Sequence, residues 1–145
     1  MIVRGSVVIT IALTVGCGLT ASSPNGPSPA TDIDASLGRE FDVRAGGAAR
    51  ISSEPLTITF ERVVADSRCP ADTTCVFEGD ATVRLVLEGA NAERLTLDLH
   101  TQANGPREGA FQKYRLRLVR LAPVLQNNSQ IPFDQYVATL IVVSG

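Results

Sequence analysis

The chain has 145 residues, 13 basic and 15 acidic side chains, a net charge of −2 and 44% apolar residues. That length supports one domain with appendages and a core of ordinary size. A weakly acidic chain without a basic stripe excludes nucleic acid as a partner class.

Residues 1–16 read as an export leader. Arg4 supplies the positive start, and residues 6–15 form an apolar run of ten. That run suits a signal-peptide core and is too short for a permanent membrane span. Its end, Leu13-Thr14-Val15-Gly16-Cys17, resembles a bacterial lipoprotein signal. The resemblance implies cleavage before Cys17, diacylglycerol on its thiol, and a lipid anchor at the cell envelope. Thr14 stands where such signals usually carry leucine, and an ordinary secretory signal cut near Ala21 is the alternative. In a Gram-negative envelope, Gly18 in place of an aspartate permits the outer membrane.

Residues 17–36 follow as the lipidated cysteine and a tether. The stretch holds Ser22, Ser23, Pro24, Pro27, Ser28 and Pro29 and almost nothing to bury, the composition of a spacer. Residues 37–145 then switch to period two, the strand signal. Phe41 and Val43 alternate with polar residues, and Gly46-Gly47 reads as a turn before a short returning strand at residues 48–51. Leu56, Ile58 and Phe60 alternate in turn. Val63 breaks their phase and predicts a bulge near Glu61 and Arg62.

Residues 66–80 read Asp-Ser-Arg-Cys-Pro-Ala-Asp-Thr-Thr-Cys-Val-Phe-Glu-Gly-Asp, a loop between strands with two of the three cysteines. Cys69 and Cys75 have three readings. After an export leader a structural disulfide is favoured, closing a loop worth roughly 2–2.5 kcal/mol. Zinc wants closer pairs and two further ligands, and the only histidine is His100. Redox catalysis wants C-x-x-C. Pro70 restrains Cys69, Asp72 with its two threonines suits a turn, and Gly79 offers positive φ. Phe77, apolar among polar neighbours just before a strand, is expected to anchor the loop to the core, with Glu78 and Asp80 pointing outward.

Asp66 and Arg68 are two apart and expected to pair. They are either a fixed corner of the fold or part of a preorganised binding site. The corner reading is favoured, since no histidine, nucleophile or metal set accompanies them. Asp66, Asp72, Glu78 and Asp80 are calcium-type oxygen ligands without the EF-hand spacing. Loop capping and a solvated rim are favoured over calcium.

Asp66, Ser67, Arg68, Cys69, Pro70, Cys75, Phe77 and Gly79 match the pattern D-S-R-C-P-x4-C-x-W/F-x-G. In this the chain resembles a family of small bacterial exported proteins and lipoproteins, mostly with tryptophan where Phe77 stands. The resemblance implies a compartment and a fold and carries no assigned activity.

Beyond the loop, Ala81, Val83, Leu85 and Leu87 alternate, residues 89–91 turn the chain, and Leu95, Leu97 and Leu99 return. Residues 111–121 read as one strand with Tyr114, Leu116 and Leu118 inward and the Arg115/Arg117 face solvated. Tyr136, Ala138, Leu140 and Val142 form the last. The sum is an all-β domain of seven to eight strands, an antiparallel β-sandwich or a partly open barrel. No nucleophile, base and orienter stand in a known motif, no cofactor motif is present, and His100 reads as a lone surface residue. Two functions follow: a lipid-anchored envelope module that binds or scaffolds a protein or small ligand, or a small envelope hydrolase using carboxylates.

Overall fold

The computed structural model describes residues 31–102, 105–127 and 129–145. The leader, Cys17 and most of the tether lie outside them. Nine strands form two sheets: β1 (Ile33–Ala35), β2 (Glu40–Arg44), β3 (Ala48–Ile51), β4 (Thr57–Asp66), β5 (Ala81–Glu88), β6 (Arg94–His100), β7 (Glu108–Phe111), β8 (Tyr114–Ala122) and β9 (Val137–Ser144). One sheet runs β1-β3-β4-β5-β6 and the other β2-β9-β8-β7. All pairings are antiparallel except β1 with β3. Among the described residues no strand pairs across the two sheets, so the domain is an open β-sandwich.

Period two explains the packing. Ala81, Val83, Leu85 and Leu87 are all fully buried along β5, and the polar residues between them face out. Leu116, Leu118, Ala138, Leu140 and Val142 meet them from the second sheet in one core with Phe60, Ile58 and Val43. Leu95 and Leu97 are only half-buried because β6 is the sheet edge. Gly109 lets β7 approach that edge: a Cβ there would lie 2.7 Å from Leu97.

The predicted bulge is present as a register shift between Phe60 and Arg62, and a second follows between Val63 and Ala65. Three readings need correction. Residues 33–35, assigned to the tether, are β1, held against β3 with Ile33 beside Ala49. Gly46-Gly47 is no hairpin turn: β2 pairs with β9, and the two glycines carry the chain from one sheet to the other. The strand read from residue 111 begins at Tyr114 as β8, with Tyr114, Leu116 and Leu118 inward as expected, while Phe111 ends a separate short strand, β7, and Gln112 at φ 53 turns one into the other. These short elements are why the strands number nine.

Strand direction sorts the loops. The ends of β4, β6 and β8 and the starts of β5 and β9 lie together, so residues 66–81, 100–107 and 122–137 share one end of the sandwich. The bonded cysteines lie there, at the clamp end.

Candidate functional site

Residues 66–81 continue the β4–β5 hairpin past the sheet. The backbone N–H of Ser67 donates to Asp80 O at 2.7 Å, and that of Cys69 to Glu78 O at 2.8 Å. Cys69 and Cys75 are joined, with Cα atoms 6.0 Å apart. Gly79 sits at φ 67, and a Cβ there would stand 1.8 Å from Ser67 O. Glycine is therefore required where the two ladder strands come closest. The Ser67 hydroxyl donates to Asp80 O at 3.0 Å and ties the two strands again. Pro70 is buried at the turn.

The expected Asp66–Arg68 pair forms with two parallel bonds. Arg68 Nε donates to Asp66 Oδ1 at 2.8 Å, and one terminal nitrogen donates to Oδ2 at 2.7 Å. Their side chains are only 14% and 9% exposed. Arg68 also donates to Leu121 O at 2.7 Å and Pro123 O at 3.0 Å, so one guanidinium ties the clamp to the β8–β9 loop. The Tyr136 hydroxyl donates to Asp66 Oδ2 at 3.0 Å from the start of β9. Burial alone would raise the Asp66 pKa, but the bonds from Arg68 and Tyr136 outweigh it and hold the carboxyl below its ordinary value. Burial, then the bond to Asp66, pushes Tyr136 up to about 12.

The β8–β9 loop is stitched to the clamp twice more. Ala71 N donates to Leu125 O at 2.9 Å, and Asn127 N to Asp72 Oδ1 at 3.0 Å. Between the end of β4 and residues 129–133 lies an open groove of about 850 Å³. Val63, Val64, Ile131, Pro132 and Phe133 wall it, with Tyr136 and the ion pair at its side.

Phe77 overturns its expectation. It is 83% exposed and the neighbouring Val76 91% exposed, so neither anchors anything in this domain. Asp80 also departs from its expected outward direction. Its carboxylate accepts from His100 Nδ1, from the Thr101 backbone and hydroxyl, and from the Gln102 backbone. Burial would raise its pKa, but the bonds from His100, Gln102 and Thr101 prevail and lower it. His100 is thus half-buried and paired, contrary to the surface residue expected, with Gly105 packed on its ring. Glu78 does point outward.

The four calcium candidates do not converge. Asp66 belongs to Arg68, Asp72 to the Asn127 backbone and Asp80 to His100, while Glu78 stands apart. Among the described residues no three metal-binding side chains come together. The Asp80–His100 pair would orient a general base, yet among the described residues no hydroxyl or thiol bonds to Nε2 as a nucleophile would. Elsewhere, Asp98 is held down by hydrogen bonds from Arg84, and Glu54 by those from Tyr114 and Lys113. A general acid needs the opposite shift.

Sequence reasoning missed Tyr136 as the third member of the Asp66 network, His100 as a partner of Asp80, and the groove wall at residues 129–133. Tyr136 lies 70 positions from Asp66, and no local pattern links them. No family model, curated protein or solved structure matches the chain.

Proposed function

We propose that the chain is an exported, lipid-anchored envelope domain that binds or scaffolds a partner through its clamp end, without catalysing a reaction. The lipoprotein-like leader ending in Gly16-Cys17 supports the anchor, and the D-S-R-C-P loop motif supports the link to small bacterial exported proteins. One observation carries the binding reading: Val76 and Phe77 are displayed to solvent on a loop that a disulfide and Arg68 both hold in place. Apolar side chains with no packing role on a rigid, exposed loop are the composition of a contact surface. A clamped loop also loses little entropy on binding. The lowered pKa values of Asp66, Asp80, Asp98 and Glu54 suit none of these four carboxylates to the role of general acid.

Retention on native envelope preparations tests this. On a Cys17→Ser background, which removes the lipid, the otherwise unaltered chain is retained saturably. The Val76→Asp/Phe77→Asp variant, equally stable to urea, is not. Equal retention of the two contradicts the proposal.

A further inference from the structure

The sandwich sends its two chain ends in opposite directions. β1 runs parallel to β3, so its N-terminal side faces the clamp end, with Ile33 level with Ala49 and Ile58. The C-terminus leaves at the far end, where Ser144 pairs with Tyr114. Exposed apolar side chains follow the same division. Val64, Val76, Phe77, Val124 and Phe133 belong to the clamp end, and among the described residues Val143 alone of the large exposed ones belongs to the far end. Residues 70–77, Val76 and Phe77 among them, lie outboard of the last ladder bond, Cys69 to Glu78, and form the tip.

We infer that this tip enters the interfacial layer of a lipid bilayer, the same bilayer that holds Cys17. The inference rests on the lipid-anchor reading and names the partner of the clamp end. Fourteen positions separate Cys17 from Thr31. Even fully extended they span no more than about 50 Å. They join the domain at β1, whose N-terminal side faces the end that carries the apolar tip, so anchorage brings Val76 and Phe77 within reach of the membrane at high effective concentration. Burying adjacent valine and phenylalanine side chains in the acyl boundary removes apolar area from water and adds a second attachment point to the lipid.

Charge narrows the surface. Asp72 and Glu78 flank the tip and are exposed, and the nearby Arg68 is consumed by Asp66 and two carbonyls. An acidic rim fits neutral headgroups and is repelled by anionic ones.

The chain has no tryptophan, so single reporters can be placed cleanly. Phe77→Trp and Val143→Trp are made in the full lipidated chain and reconstituted into phosphatidylcholine/phosphatidylethanolamine vesicles. Matching urea midpoints confirm that both fold as the parent does. The inference expects blue-shifted emission at position 77, quenched several-fold more by brominated acyl chains than emission at position 143. Adding phosphatidylglycerol should weaken that difference. If the chain floats with the vesicles while position 77 stays water-like and unquenched, the inference is overturned and the anchor stands. If the chain does not float, both fail. A blue shift at 77 that needs added envelope protein overturns the bilayer in favour of a protein partner.

Discussion

Replacing Arg68 by alanine removes more than one ion pair. Asp66 keeps its charge in a site only 9% exposed, with Tyr136 as its remaining side-chain partner, and the carbonyls of Leu121 and Pro123 lose their donor. Breaking a buried pair from one side costs about 3–5 kcal/mol, because the surviving charge is left uncompensated. Asp66→Ala should cost somewhat less, about 2–4 kcal/mol, since Arg68 keeps both carbonyls. The double variant removes both charges together, so its loss should fall short of the sum by about 1–3 kcal/mol. Equilibrium urea unfolding of all four proteins at one pH gives the cycle. A pH series adds a second check. Burial raises the Asp66 pKa, yet the bonds from Arg68 and Tyr136 leave it lowered. Its contribution is therefore present above about pH 4 and lost as pH falls through the lowered folded value. Single variants each within about 0.5 kcal/mol of the parent, or a strictly additive cycle, would refute the role of the pair as a structural tie.

Other elements give independent tests. Cys69→Ala/Cys75→Ala should stay folded and lose about 2–2.5 kcal/mol, the loop-entropy value for a closure of sequence separation 6. Unreduced parent protein should show no reactive thiol at these two positions by peptide mapping. Phe77→Ala should cost less than about 0.5 kcal/mol in urea, as surface changes do; a loss near the 3–5 kcal/mol of a buried phenylalanine would put that ring in the core. Tyr136, pushed up to about 12 by burial and by Asp66, stabilises the fold in its neutral form. That contribution is complete below about pH 10 and lost as pH rises to 12, about 2–3 kcal/mol. Urea unfolding at pH 9 and 12 should show that extra loss in the parent and not in Tyr136→Phe.

The sequence made the regular part of this fold legible and left its long-range ties hidden. The β5–β6 hairpin could be read because each strand repeats one apolar face without interruption. Asp66 and Arg68 could be paired because residues two apart on an extended chain share a side. The bonds from Arg68 to Leu121 and Pro123 could not, since they span 53 and 55 positions. Gly46-Gly47 carries the same local turn signal whether the chain doubles back or crosses to the other sheet. Phe77, a lone aromatic among polar residues directly before a strand, reads as inward, and it has the parity of Ala81, Val83 and Leu85. Gly79 at φ 67 interrupts the pleat between them, so that parity does not carry across.

Anchorage through Cys17 is the premise of both the proposed function and the proposed membrane contact of the tip, and detergent phase partition tests it most directly. The exported parent chain is predicted to enter the detergent phase of a Triton X-114 separation, and Cys17→Ser to stay in the aqueous phase. If the parent and Cys17→Ser both remain aqueous, the lipid anchor is contradicted, and with it the placement of this domain at the membrane.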